Sequence, residues 1–166
     1  MRRPDAAGRI RFALNRAAQQ IMLPRRATAT EKIIMTTLGL FTKLIVSDEK
    51  AQADYYGKVY GLNAIYHVEG VSDGEPFREI ILSPGTDMSA GTLVMFNFTE
   101  RAAPRDQQVI LGFTTDDLDA LVERIKANGG KLNGPVREET EHGVRVVFSV
   151  DPEGVLCENV QMLGQH

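Results

Sequence analysis

The stretch from Ser47 to Leu62, SDEKAQADYYGKVYGL, carries signals for both ends of a helix. Asp48 can accept hydrogen bonds from the free N–H groups of a first turn, and Gly61 can take the left-handed conformation that stops one. The spacing therefore predicts a helix over Glu49–Tyr60. An apolar strand, Leu38–Val46, leads into it. Three more strands, Asn63–Val68, Phe77–Leu82 and Thr92–Phe98, follow, separated by Gly, Pro, Ser and Asp turn residues. The order is βαβββ.

The same order returns around Thr115–Lys131, TDDLDALVERIKANGGK. Asp116-Asp117 caps a helix with Leu118, Leu121, Val122 and Ile125 at i, i+3, i+4 and i+7, and Gly129-Gly130 ends it. A strand over Val109–Thr114 precedes it, and strands over Lys131–Val136, Val144–Val150 and Val155–Met162 follow, with a tight turn at Asp151-Pro152-Glu153-Gly154. Asp48 to Gly61 and Asp117 to Gly130 both span thirteen residues, and Ala51 and Ala120 sit at equal offsets. A duplication explains this most simply. The sequence thus predicts an α+β domain over 37–166. It is built of two paired βαβββ modules, 37–99 and 108–163, that form a curved mixed sheet around a cavity suited to a ligand.

Composition agrees with a soluble globular chain: 166 residues, 43% hydrophobic and 25% charged, which excludes long disorder and coiled coil. A single cysteine, Cys157, allows neither an intrachain disulfide nor a cysteine-based zinc site and points to a reducing compartment or an indifferent one; the expected location is cytoplasmic. No run of about 18 apolar residues could span a membrane.

Charge is unevenly spread. Residues 1–30 hold seven arginines and one aspartate, a balance of +6, while the rest holds twelve basic and twenty-one acidic residues, −9. Residues 1–36 read as a basic extension, helical or poorly ordered. Ala6–Leu23 can be drawn as an amphipathic helix ending before Pro24, with the composition of a transit peptide or surface-binding helix, but an untethered terminus is the simpler reading. The acidic body suits a neutral or cationic small ligand better than nucleic acid.

Several of these stretches resemble the vicinal oxygen chelate superfamily of glyoxalases, extradiol dioxygenases and bleomycin resistance proteins. They are Leu44-Ile45-Val46-Ser47-Asp48, Tyr55-Tyr56, Tyr60-Gly61-Leu62, Thr115-Asp116-Asp117-Leu118, Gly129-Gly130-Lys131 and, above all, Asp151-Pro152-Glu153-Gly154-Val155-Leu156-Cys157-Glu158. The resemblance covers roughly 38–163. It implies a divalent ion held by His, Glu or Gln from the first and last strands of each module, and it implies a homodimer. The first-strand ligand positions, seven residues before each capping aspartate, hold Phe41 and Ile110 here, and the first module's last-strand position falls near Met95. Only Glu158 keeps a ligand side chain. A divalent ion needs about three protein donors, so no metal cofactor is predicted. A displaced site using His67 or His142 with Glu158 is the alternative.

Strand alternation extends the argument. If Phe41 faces the cavity, so do Lys43 and Ile45, and by the same parity Asn97 joins Met95, Thr114 joins Ile110, and Leu156 joins Glu158. Lys43 is then expected to pair with Glu158, anchoring a polar ligand group or acting with it as acid and base. The plainer alternative turns Glu158 to solvent and lets Lys43 snorkel out. Tyr55 and Tyr56 read as core, and Cys157 as a small buried hydrophobe. Arg78 and Glu79 point to opposite faces, in a register the sequence leaves open.

Three functions compete: a metal-independent binder of a small hydrophobic or aromatic ligand, with Phe41, Met95, Asn97, Ile110, Thr114 and Leu156 lining the site; a glyoxalase-type lyase, isomerase or dioxygenase using a displaced metal or Glu158 as acid and base; and an interaction subunit with a vestigial cavity.

Overall fold

The computed structural model describes residues 41–106 and 109–164. The basic extension and the expected start of the first strand at Leu38 lie outside those residues. The first module runs β1 (Thr42–Ile45), α1 (Glu49–Tyr60), β2 (Asn63–Ser72), β3 (Glu75–Ser83) and β4 (Leu93–Phe98). Asp48 caps α1 as predicted, its carboxylate accepting from the N–H groups of Lys50 and Ala51, each at 3.0 Å. Gly61 closes the helix at φ 71°. β2 and β3 run further toward each other than the sequence predicts. Asp73 (φ 51°) and Gly74 (φ 87°) turn the chain in two left-handed residues, whose twist matches that of paired strands. β1 joins parallel to β4, giving the order β1-β4-β3-β2.

The second module runs β5 (Leu111–Thr115), α2 (Leu118–Ala127), β6 (Lys131–Leu132), β7 (Arg137–Glu139), β8 (Val144–Val150) and β9 (Leu156–Met162). The strand expected over Lys131–Val136 is cut short because Pro135 has no N–H for the ladder and Gly134 turns at φ 105°. The chain re-forms β7, which pairs with β8, so this sheet has five strands, ordered β5-β9-β8-β6 with β7 beside β8. The fold is α+β, with two α-helices and two mixed sheets of four and five strands among the described residues.

The modules pair through their helices. Leu44 and Met95 of the first sheet, Tyr56 and Val59 of α1, Ile125 of α2 and Cys157 of β9 belong to one buried cluster. Arg124 Nε on α2 donates to the Val59 carbonyl on α1 at 2.9 Å, and the ring of Tyr60 on α1 stacks on Phe113 of β5 at 3.8 Å. Sheets joined edge to edge at β1 and β5 would hold the two helices several strand spacings of about 4.8 Å apart. Contact between the helices therefore places them between the sheets. Each sheet has one face on this shared helix layer and one turned away from it.

Polar ties cross the layer: Tyr56 Oη donates to Asp151 Oδ2 at 3.0 Å, Tyr60 Oη donates to Asn159 Oδ1 at 3.1 Å, and the Glu153 carboxylate accepts from the N–H groups of Ser47 and Asp48. No helix among the described residues is long and apolar enough to cross a membrane.

Cys157 is fully buried, and burial pushes its thiol pKa up to about 11. Only the thiolate attacks a disulfide reagent, so the native protein is expected to leave such a reagent unreacted at pH 8 and to release one equivalent of thiol on unfolding in guanidinium. Fast reaction of the native chain would contradict the placement of β9.

Candidate functional site

The outward face of the first sheet is set by its pairing register. Lys43 lies opposite Val94, Ile45 and Glu79 lie opposite Phe96, and Phe77 lies opposite Phe98. Phe77 stacks on Phe96 (centroids 4.7 Å apart, planes 19° apart), and Phe98 meets Phe96 edge-on at 4.8 Å. Two cations cap these rings: Lys43 Nζ lies 4.6 Å from the Phe96 centroid, and the Arg101 guanidinium carbon 3.8 Å from that of Phe98. Such contacts let an apolar face turned away from the core stay out of water. Glu79 is 6% exposed on the same face and receives the Lys43 ammonium at 2.5 Å.

This arrangement corrects three expectations. Met95 does not face outward; it is completely buried against the helix layer. Asn97 shares that face and donates to Glu49 Oε2 at 2.8 Å, where Arg78 Nε also reaches Glu49 Oε1 at 3.0 Å. The residues carrying the outward face of β4 are Val94 and Phe96, one position away from those expected. The strand reads LVMFNF, apolar on both sides apart from one asparagine, so alternation in the sequence could not choose a face.

The third correction concerns Lys43, which points outward as expected but is bound to Glu79 and not to Glu158. The two modules turn these faces away from a common core, so a pair within one chain is not made. Sequence reasoning left Glu79 undecided; the only signal was that one of Arg78 and Glu79 had to take the outward side.

On the outward face of the second sheet, Glu158 stands opposite Gly112 and Phe148, half-buried, without a hydrogen-bond or ion-pair partner among the described residues. Thr114 and Leu156 share that face by alternation. Phe41 and Ile110 lie just ahead of β1 and β5 and are 54% and 56% exposed. Tyr55 and Tyr56 are core residues. A groove of about 160 Å³ runs between β1 and the linker, lined by Thr42, Lys43, Ile45, Pro104, Asp106 and Val109.

The donor set does not fit the divalent ion that the superfamily resemblance implies. Phe41 and Ile110 carry no lone pair. The register counterpart of Glu158 is Val94, since Lys43 opposite Val94 matches Gly112 opposite Glu158 at equal distances from the capping aspartates. Among the described residues no three His, Cys, Asp or Glu side chains are grouped to hold an ion.

Comparison with known proteins agrees with the fold. The chain resembles a glyoxalase family protein from Bacillus cereus at 18% identity over 83% of this chain and 100% of the other, with a TM-score of 0.65. A glyoxalase-related enzyme from Fulvimarina pelagi matches at 21% identity over 73% of this chain and 85% of that one, with a TM-score of 0.54. Glyoxalase I from Zea mays matches at 18% identity over 73% of this chain, with a TM-score of 0.59, and the chain spans only 45% of its length. No curated protein matches the sequence. The sequence profile of one family covers residues 36–158, most of the chain. With the duplicated modules, the capped helices and that match, this protein belongs to the Glyoxalase/Bleomycin resistance protein/Dioxygenase superfamily.

Proposed function

We propose that this chain binds a small hydrophobic or aromatic molecule against the outward face of its first sheet, without a divalent ion at the positions the family uses. The observation that carries this reading is the Phe77–Phe96–Phe98 cluster on a face turned away from the core. Ligand sites are mostly apolar with a few placed polar groups, and here those groups are Lys43 and Glu79. A homodimer is part of the proposal: among the described residues the outer strand β2 has a neighbour on one side only, an edge that favours association. The single thiol suits a reducing compartment, and we place the protein in the cytoplasm.

A thermal-shift screen of the full chain against aromatic compounds tests the reading. A true ligand at a hundredfold over its Kd is expected to stabilise the protein by about 2.7 kcal/mol, and Phe96→Ala to abolish the effect. No shift with any aromatic compound, or a shift with divalent ions alone, would overturn it. The enzymatic alternative has one observation in its favour: Glu158 is a half-buried carboxylate with no hydrogen-bond or ion-pair partner among the described residues, a group that could act as acid or base. Turnover lost in Glu158→Gln with ligand binding intact would establish that alternative.

A further inference from the structure

Strand β2 closes one end of the first sheet, and its ladder with β3 shows which of its backbone groups face away from the sheet. That ladder shifts between Ala64 and Tyr66 and is regular from there to Ser72. The two-residue turn at Asp73-Gly74 makes Ser72 and Glu75 a hydrogen-bonded pair, and bonded and unbonded pairs then alternate along an antiparallel ladder. Val71 falls in an unbonded pair with Pro76, which has no N–H to give. Glu69 with Arg78 and His67 with Ile80 are the next two unbonded pairs. The backbone N–H and C=O groups of His67, Glu69 and Val71 therefore point away from β3, along the outer edge.

Proteins usually blunt such an edge with lysine or proline, and β2, NAIYHVEGVS, carries neither. Its imidazole and its carboxylate, at His67 and Glu69, are exposed and share one face by alternation. Neither side chain has a hydrogen-bond or ion-pair partner among the described residues.

We infer that β2 pairs antiparallel with β2 of a second copy of this chain, about a twofold axis at Val68. Only residues whose backbone groups point outward can exchange bonds across this contact, so the axis falls on a residue and not between two. At Val68 it sets His67 opposite the partner's Glu69, and Glu69 opposite the partner's His67. An imidazole donates to a carboxylate, so the edge is complementary to itself. Moved one residue either way, the axis sets imidazole against imidazole or carboxylate against carboxylate, and both arrangements are disfavoured. This contact rests on the homodimer named above and adds its surface and its register. Residues opposite one another across a ladder share a face, so the outward faces of the two copies lie side by side on one sheet, four strands from each copy.

Sedimentation velocity of the full chain over a dilution series tests this, and the parent is expected to dimerise reversibly. His67→Glu and Glu69→Lys should each weaken the dimer about tenfold, since each replaces two complementary cross-strand contacts by unfavourable ones. An equimolar mixture of these two variants should regain the parent's affinity, because every imidazole or introduced charge then meets an opposite partner. Glu69→Pro should give a folded monomer, since the N–H it removes points to the outer edge and not to β3. The charge variants keep the test decisive if that chain does not fold. A dimer indifferent to all these substitutions, or a mixture no tighter than its components, would overturn the β2 contact and leave the homodimer to another surface. A parent that stays monomeric at every concentration would overturn both, and the aromatic screen would then decide the ligand reading by itself.

Discussion

Tyr56→Ala is expected to cost about 3–5 kcal/mol of stability, the range for deleting a fully buried large side chain. Tyr56 has no exposed surface, packs edge-on against Tyr55 at 5.3 Å, stacks on Tyr60 at 5.6 Å and lies 6.1 Å from Phe113 of the other module. The substitution opens a cavity in the layer joining the modules and leaves Asp151 without the hydroxyl that donates to it. Burial already raises the Asp151 pKa, so its carboxylate tolerates further loss of partners poorly. At roughly 2–4 °C per kcal/mol for a chain of this size, the melting midpoint should fall on the order of 10 °C. Tyr56→Phe keeps the ring and should lose only about 1–2 kcal/mol. Guanidinium unfolding of both variants measures this, and a loss below about 1 kcal/mol in Tyr56→Ala would mean that the tyrosine does not tie the modules together.

Gly130→Ala is expected to cost about 1–3 kcal/mol, whereas Gly112→Ala should stay within about 0.5 kcal/mol of the parent. A Cβ at Gly130 would lie 2.5 Å from Tyr55 Oη and 2.8 Å from Ile125 Cγ2, closer than real side chains approach, and Ile125 is fully buried and cannot yield. At Gly112, on the outward face of β5, nothing stands within 4 Å of the added atom. The cost at Gly130 is crowding, because the left-handed residue at this turn is its neighbour Gly129 at φ 90°. Thermal melts of the two variants side by side check the contrast, and equal stability would show that α1 and the end of α2 are not packed as closely as Tyr55 and Gly130 imply.

The amino-acid sequence alone determined the helix limits, the repeat and the α+β class. A cap such as Asp48, a stop such as Gly61 and the spacing of Leu118, Leu121, Val122 and Ile125 act within one or two turns of chain, and so can be read without knowing what lies across from them. The absence of donor side chains at Phe41 and Ile110 was equally legible, since it depends on residue type and not on orientation.

Tertiary structure decided the rest. β4 is apolar on both faces, so only its pairing with β1 and β3 turned Val94 and Phe96 outward and buried Met95 and Asn97. The partner of Lys43 was hidden for the same reason: Glu79 and Glu158 are both plausible carboxylates in a linear sequence. Choosing between them needed the register of β3 and the stacking of the two helices between the sheets. Both arise from contacts between residues far apart in the chain, and no local pattern encodes them.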